Sequence, residues 1–370
     1  MTGMKSTSLP DEGRAFISDC EGPISKNDNA FELTSHFVPE GDHFFTLISK
    51  YDDVLADLFK REGYKAGNTL KLILPFLKAY GATDDKLRVF SSQSILLVPG
   101  ADDMLRFVNG IMPSFIVSTS YEHYILSVCN AIGFPKENVY CTRLNLDKYV
   151  LTDEEVEDLK ALKGEISRMP MIRIPENAES VDNLLKNDRS TVEILDEIFW
   201  EVLPKTAAGR MLEEVNPVGG YEKANAIRDI SKRTSVKLSD TMYMGDSITD
   251  VEPFRLVREG GGLTVSFNGN QYAVREAEIA VLSNHAIITS ILADIFSTYG
   301  KKALLDLAGD WDLSSLKGCC RPELLKRLTE LYPEISLKVD TITSSSRERL
   351  TRESVAFRKT VRGKAIGRLG

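Results

Sequence analysis

The sequence alternates short apolar segments with longer stretches of helical periodicity, and this alternation limits the fold more than any other feature. The apolar segments are centred near residues 16, 116, 140, 243 and 265. Two parallel strands need a long crossover connection, which is usually a helix. Strands that alternate with helices therefore predict an α/β fold with a doubly wound parallel sheet.

Two stretches between the predicted strands are longer than a crossover requires, and both have helical periodicity. An insertion that directly follows an active-site strand is well placed to form a lid over the site. We therefore predict helical cap insertions in an otherwise continuous sheet domain. The predicted parts are a core of residues 12–23, 99–141 and 216–299, a helical cap at 24–98, a second helical insertion at 142–215, and a helical C-terminal extension with a basic tail at 300–370.

The composition is typical of a globular protein with a sizeable core, since 42% of the 370 residues are hydrophobic. No apolar run approaches the ~18 residues that a membrane-spanning helix needs. The polar N-terminus lacks the apolar stretch of a signal peptide, so we expect a cytoplasmic protein. The five cysteines show no spacing typical of a zinc site or of a disulfide framework.

The C-terminal thirty residues are basic although the whole chain has a net charge of −8. Residues 341–370 contain eight Lys or Arg residues and only two Glu residues. Such a tail can bind a phosphate backbone or an acidic protein partner. We expect a solvated, partly disordered C-terminus, with docking onto the acidic body of the same chain as the alternative. Nucleic acid is the less favoured partner, and a protein partner for the tail stays open.

Acidic residues follow two of the predicted strands directly. Asp19 and Glu21 come after the first strand, and Asp246 and Asp250 come after the strand near residue 243. The carboxyl ends of parallel strands meet along one crevice, so these side chains are expected to converge. Carboxylate oxygens are the ligands that Mg²⁺ prefers. Taken singly, the same residues are also typical of turns and of helix N-termini.

Two further segments place a hydroxyl group and an ammonium group where strands end or helices begin. Ser118 and Thr119 end the strand near residue 116, where hydroxyl groups and free amides can bind an anion or simply cap a helix. Lys223 follows Gly219-Gly220 in the first turn of a predicted helix. A cation there opposes the helix dipole unless an anion lies nearby, so this lysine indicates an anionic neighbour.

Taken in order, the four segments resemble the signature of the haloacid dehalogenase (HAD) superfamily. That signature is an Asp-x-Asp strand end, a Ser/Thr strand end, a Lys, and a Gly-Asp-(x)3-Asp segment. The resemblance covers about residues 15–300 without the insertions, and the stretch 262–281 is similar to the end of a phosphoserine-phosphatase-type core. The whole chain is also similar to archaeal HAD-like proteins labelled energy-converting hydrogenase A subunit R.

The resemblance implies a HAD-like Rossmannoid core and a Mg²⁺-dependent phosphomonoester hydrolase that acts on a small phosphorylated metabolite through an aspartyl-phosphate. It implies that Asp19 is the nucleophile and a metal ligand. Glu21 is the implied general acid and base, and its backbone carbonyl is an implied metal ligand. Asp246 completes the metal site, and Asp250 ligates or orients the metal.

The same resemblance assigns phosphate binding to the other two segments. Ser118, together with the Thr119 amide, is expected to hold the phosphoryl oxygens. Lys223 is expected to neutralise the charge that these oxygens share with Asp19. The implied catalytic residues are thus Asp19, Glu21 and Lys223.

An alternative is motivated by two departures from the family pattern, by the long insertions and by the basic tail. Glu21 stands where the family has Asp, and Pro23 stands where threonine is common. Thr119 stands where related phosphatases often have glycine, which narrows the expected phosphate site. A misplacement of about 1 Å can lower a rate ~100-fold. The alternative is therefore a HAD-fold binding or regulatory subunit with little or no turnover. A dehalogenase or phosphonate hydrolase is less favoured, because those chemistries do not need the carboxylate of Glu21.

Overall fold

The computed structural model describes residues 13–175, 178–309, 311–332 and 338–369. These residues form a mixed α/β fold with one seven-stranded sheet in the order β3-β2-β1-β4-β5-β6-β7. Neighbouring strands are parallel except for β7, which is antiparallel to β6. The strands are β1 (Ala15–Ser18), β2 (Ser114–Tyr121), β3 (Val139–Thr142), β4 (Thr241–Gly245), β5 (Leu263–Phe267), β6 (Ile279–Leu282) and β7 (Lys338–Thr341).

The predicted strands and the mostly parallel sheet are confirmed, but β7 was not predicted. Its four residues, Lys-Val-Asp-Thr, include one apolar side chain, and the stretch around them was assigned to a helical extension. Val339 is buried and pairs with Val281 of β6. So short and polar a sequence has no strand pattern of its own. It forms a strand because it pairs with β6 at the edge of a sheet that is already formed.

Helices flank the sheet and fill the connections between its strands. Among the described residues, no helix combines the length and the apolar character needed to cross a bilayer. In chain order the helices are α1 (Asn29–Phe37), α2 (Gly41–Asp53), α3 (Thr69–Leu72), α4 (Leu74–Ala79), α5 (Asp84–Gln93), α6 (Ala101–Ile111), α7 (Glu122–Ile132), α8 (Asp153–Ser167), α9 (Lys186–Glu197), α10 (Gly209–Glu214), α11 (Tyr221–Thr234), α12 (Val251–Glu259), α13 (Gln271–Glu276), α14 (Ile287–Ala308), α15 (Leu313–Leu316), α16 (Pro322–Leu331) and α17 (Arg347–Arg362).

The sheet is buried on both faces, as expected for strands that are almost continuously apolar. Successive strand residues point to opposite faces. Phe16 therefore belongs to the core cluster that α6, α7 and α14 cover, whereas its neighbour Ile17 belongs to the cluster that α11 and α12 cover. With both faces buried, the ends of the strands are where this sheet can contribute to a site.

The helical stretches between β1 and β2 and between β3 and β4 form one unit with a hydrophobic core of its own. We call residues 24–98 the first insertion and residues 142–215 the second insertion. Phe199 of the second insertion stacks on Tyr51 of the first, with ring centroids 5.8 Å apart, and meets the edge of Phe76. Trp200 donates a hydrogen bond of 2.8 Å to the Tyr51 hydroxyl. The two insertions thus bury each other's apolar side chains.

The basic C-terminal region folds as a helix that docks onto the body of the same chain, which corrects the expectation of a solvated, partly disordered tail and agrees with the docking alternative. Helix α17 packs against α13 and β6. Its buried residues recur every fourth position, and the Ser354 hydroxyl donates a 2.6 Å hydrogen bond to the Gly269 carbonyl. Leu369, beyond this helix, is buried in the core of the insertions. The buried stripe of α17 consists of Leu350, Ser354, Arg358 and Arg362.

Candidate active site

A cavity lies at the carboxyl ends of β1, β2 and β4, where the chain order of the strands reverses on either side of β1. Such a point is the usual ligand site of an open α/β sheet. Asp19 follows β1 and is fixed by a hydrogen bond of 2.9 Å from its backbone N–H to the Met244 carbonyl. Asp246 follows β4, and Ser118 lies inside β2, which continues to Tyr121 instead of ending at Ser118 as predicted. The sheet therefore brings three of the four predicted segments together.

Three carboxylates form a buried cluster beside this cavity. Asp19, Asp246 and Asp250 each offer a carboxylate oxygen, and these oxygens lie within 4.8 Å of one another. All three side chains are at most 5% exposed. Like charges at this spacing repel strongly where water is excluded, so the cluster requires cations.

Lys223 supplies the first of these cations. Its ammonium group contacts Oδ2 of Asp19 at 2.6 Å and Oδ1 of Asp250 at 2.7 Å, and the side chain is fully buried. Burial lowers the pKa of Lys223, but the two carboxylates outweigh this effect and raise the pKa above its usual value. Burial has the opposite effect on Asp19. It raises the pKa of this carboxyl group to about 7, although the charge of Lys223 lowers it. Lys223 thus lies where its helix position predicted, next to anions.

Asp250 has the contacts of an orienting residue. Its Oδ1 accepts from Lys223 and, at 2.6 Å, from the Tyr243 hydroxyl. Its Oδ2 accepts from the backbone N–H groups of Asp246 and Ser247 at 2.9 and 3.0 Å. A carboxylate has about four lone-pair sites, and these donors use them. The sequence left two roles open for Asp250, that of a metal ligand and that of an orienting residue. These contacts favour the orienting role.

The carboxylates of Asp19 and Asp246 belong to a cluster that could hold a metal ion. Both offer hard oxygen donors, and Mg²⁺ in proteins often uses one or two carboxylates and keeps several waters. The turn after β1 approaches Asp246 closely, and Gly22 in this turn has a φ of 103°. A Cβ atom at Gly22 would lie 2.2 Å from Oδ2 of Asp246. Only glycine therefore lets the turn after β1 approach this carboxylate so closely.

Two arginines that the sequence analysis did not select contact Asp246. Arg358 and Arg362 of α17 both donate to Oδ2, the second at 2.9 Å. The two side chains are 3% and 4% exposed. Their four-residue spacing continues the stripe of Leu350 and Ser354, which is the signal that could have marked them as buried. Charged residues on a helix are also typical of a solvent-exposed face, so both arginines were expected in the solvated tail.

Glu21 lines the cavity and touches the first insertion. Its Oε1 accepts a hydrogen bond of 2.7 Å from the Asn29 backbone N–H at the start of α1. Burial raises the pKa of Glu21 well above its usual value, and the carboxylate of Asp28 adds to the increase. A carboxyl group with a raised pKa can hold a proton at neutral pH and donate it. Glu21 is one methylene longer than an Asp, and this length lets its carboxylate reach the start of α1.

Ser118 and Thr119 lie where the pairing of β2 with β3 shifts register between Val117 and Tyr121. Such an irregularity re-aims side chains at the end of a strand. The Ser118 hydroxyl contacts the Ser120 hydroxyl at 3.3 Å, and the Thr119 hydroxyl is buried with no hydrogen-bond partner among the described residues. Both residues line the cavity, so an unpaired donor is available to a ligand there.

The cavity is small, with a volume of about 100 Å³, and three parts of the chain enclose it. The strand ends form its floor, Asp52 and Thr69 of the first insertion form part of its wall, and the C-terminal region contributes Arg358, Arg362 and Leu369. Lys223 and Asp250 lie behind the lining and hold it in place. The residues predicted from sequence that line the cavity are Asp19, Glu21, Ser118, Thr119 and Asp246.

No protein-family model matches the chain, and no curated protein matches it. Among solved structures, the chain is similar to gene product AF1437 from Archaeoglobus fulgidus, with a TM-score of 0.75 and 26% sequence identity. The similarity covers 97% of this chain and 99% of that one. The two chains therefore share an α/β fold over almost their whole length, including the insertions and the C-terminal region. The name of that protein indicates no activity.

Proposed function

We propose that the chain is a member of the HAD superfamily and hydrolyses a phosphomonoester with Mg²⁺ through an aspartyl-phosphate. The observation that carries this proposal is the paired arrangement of Asp19, Asp246 and Asp250 around Lys223 at one edge of the sheet. Titratable groups that are perturbed by burial and by a charged partner in a cleft are candidates for a functional site, and a strand switch point is the usual ligand site of an open α/β sheet. The matching order of the segments in the sequence adds to this support.

The proposed binding step uses residues on both sides of Asp19. Asp19 and Asp246 would hold the Mg²⁺ ion, which supplies charge neutralisation and orientation of the phosphoryl group. Ser118 and Thr119 donate hydrogen bonds to the phosphoryl oxygens. Lys223 neutralises part of the charge shared by these oxygens and Asp19.

The proposed chemical steps use two carboxyl groups. A carboxylate oxygen of Asp19 attacks phosphorus, and the bond from phosphorus to the ester oxygen breaks. Glu21 donates its proton to the leaving alcohol. Glu21 then takes a proton from water, and the resulting attack on phosphorus releases inorganic phosphate and restores Asp19. A cavity of about 100 Å³ favours a small phosphorylated metabolite as the substrate.

The test is Mg²⁺-dependent phosphate release from an activated aryl phosphate and from a panel of small phosphorylated metabolites. We expect turnover by the wild type and a loss of at least about 1000-fold in Asp19→Asn, which lacks the nucleophile. Asp103→Asn is the control, because its side chain is 70% exposed and lies on α6 away from the cavity. Equal inactivity of the wild type and Asp19→Asn across the panel would sink the proposal.

A second candidate is a HAD-fold binding or regulatory subunit with little turnover. The observation that favours it is the contact of Arg358 and Arg362 with Asp246, a carboxylate that a metal would need. Calorimetric titration with Mg²⁺ separates the candidates. The absence of binding by the folded wild type, together with an inactive panel, would favour the subunit.

A further inference from the structure

The C-terminal helix brings two guanidinium groups into the cavity that holds the proposed nucleophile. Arg358 and Arg362 line the same space as Asp19 and Ser118. They come from the far end of the chain, and α17 is anchored by the buried side chain of Leu350.

The two arginines differ in the use of their donors. All three guanidinium nitrogens of Arg362 donate hydrogen bonds. Nε donates to the Lys26 carbonyl at 3.0 Å, Nη2 donates to the Asn27 carbonyl, and Nη1 donates to Asp246. Arg358 uses Nη1 for both the carboxylate and the backbone carbonyl of Asp246. Its Nε is buried and has no hydrogen-bond partner among the described residues.

A buried N–H group without a partner destabilises a protein, so it needs an explanation. The Nε edge of a guanidinium is also suited to bind a carboxylate or a phosphate through two parallel hydrogen bonds. The unused Nε of Arg358 lies on a side chain that is 3% exposed and lines the cavity. These are the properties of a preformed anion site.

The charges around the cavity are mixed. Asp246 has two guanidinium groups beside it and, under the proposed function, would also ligate a divalent cation. Asp28, a further carboxylate of the lining, interacts with Arg358 and Arg362 as well, so the anion site rests on the unpaired Nε of Arg358 and not on an excess of positive charge. The phosphoryl group itself is already assigned to Ser118, Thr119 and Lys223. An anion that binds the unpaired Nε edge of Arg358 would therefore come from another part of the substrate.

Building on the proposed function, we propose that Arg358 binds a second anionic group of the substrate, so that the site selects small phosphomonoesters that also carry a carboxylate or a second phosphate. Arg358 is thus a specificity-determining residue. Arg362 is a positioning residue, because it fixes the end of α17 to the backbone of Lys26 and Asn27.

The test measures binding with unreactive probes of similar size. Phosphonopropanoate carries a phosphonate and a carboxylate, ethylene bisphosphonate carries two phosphonates, and propylphosphonate carries one. Isothermal titration of the wild type with Mg²⁺ present should show binding of one or both doubly anionic probes that is roughly tenfold or more tighter than that of propylphosphonate. The preferred probe identifies a carboxylate or a phosphate as the second group.

The matched variants are Arg358→Gln and Arg352→Gln, since Arg352 is exposed on the same helix. Arg358→Gln should lose the preference and bind all three probes as the wild type binds propylphosphonate, whereas Arg352→Gln should keep it. Circular dichroism establishes that the variants are folded. Equal binding of the three probes by the wild type overturns the inference and needs no variant. Tighter binding of all three probes by Arg358→Gln also overturns it, because the arginine would then block the site.

The two proposals fail in different ways. A protein that binds the doubly anionic probes through Arg358 but hydrolyses nothing keeps this anion site and loses the phosphatase function. A protein that hydrolyses phosphomonoesters with no preference for a second anionic group keeps the phosphatase function and loses this inference.

Discussion

At the scale of single residues, the site depends on how three buried carboxylates are paired with cations. Asp19 and Asp250 share Lys223, while Asp246 is paired with Arg358 and Arg362. A buried charge that loses its partner is costly, because burial has removed its hydration. Removing one member of these pairs is therefore expected to destabilise the fold as well as to disturb the site.

Asp250→Asn tests this coupling, because it keeps the size of the side chain and removes one charge beside Lys223. We expect the free energy of unfolding to fall by about 3 kcal/mol, near the lower end for a broken buried pair, since Asp19 remains as a partner. Urea denaturation without Mg²⁺ measures the change. Asp103→Asn, at the surface, should change it by less than about 0.5 kcal/mol. Equal effects at the two positions would contradict the pairing.

Gly22→Ala tests the close approach of the turn to Asp246. Alanine at a φ of 103° is strained, and its Cβ would also overlap Oδ2 of Asp246. The matched control is Gly133→Ala, because Gly133 has a φ of 71° and open space around it. Both variants should lose about 1–2 kcal/mol from the backbone conformation. Overlap should cost Gly22→Ala about 1–3 kcal/mol more in thermal or urea unfolding, and equal losses would count against the overlap.

At the scale of elements, the C-terminal helix is part of the site although it is remote in sequence. Its first two turns dock through Leu350 and Ser354, and its last two turns present Arg358 and Arg362. Surface ion pairs at its start, such as Arg349 with Asp340 at 2.7 Å, add little by comparison with this burial. The packing of the apolar end thus determines where the guanidinium groups lie.

Leu350→Ala should therefore loosen the whole helix. Leu350 is fully buried against Val274, Ala280 and Leu282, and truncating such a leucine costs about 2–4 kcal/mol. We expect a lower unfolding midpoint and faster amide exchange along α17. Arg352→Ala on the exposed side should leave both nearly unchanged. Unchanged exchange in Leu350→Ala would mean that other contacts hold the helix.

At the scale of the whole molecule, the two insertions form one helical unit above the strand ends. Neither insertion has a closed apolar core alone, since Phe199, Tyr51 and Phe76 pack across the boundary between them. The C-terminal Leu369 is buried in the same core. The wall of the cavity therefore depends on three segments that are far apart in the chain.

Phe199→Ala tests whether the insertions unfold as a unit. Removing this buried ring should cost about 3–5 kcal/mol. Hydrogen exchange should then speed up in α2 and α4 of the first insertion as well as in α9 beside the substitution. Val202→Ala is the control, because Val202 is 44% exposed. Loss of protection in the second insertion alone would show that the two insertions are independent.

Local signals in the sequence were sufficient for the sheet and for most of the site. The apolar runs that form β1 to β6 each end at polar residues, and these patterns depend only on neighbours in the chain. The convergence of Asp19, Ser118, Lys223 and Asp246 followed from the geometry of parallel strands. Strand β7 lacked such a signal, because three of its four residues are polar.

The sequence by itself determined an α/β fold, the order of its strands in the chain, and the acidic strand ends that converge on one site. Only the tertiary structure decided that the two insertions share a core and that Arg358 and Arg362 enter the site. The physical reason is the range of the interactions. An apolar run or a helix cap is specified by adjacent residues, whereas the contact of Arg358 with Asp246 joins residues 112 positions apart. A charged side chain is buried only where the rest of the fold supplies its partner.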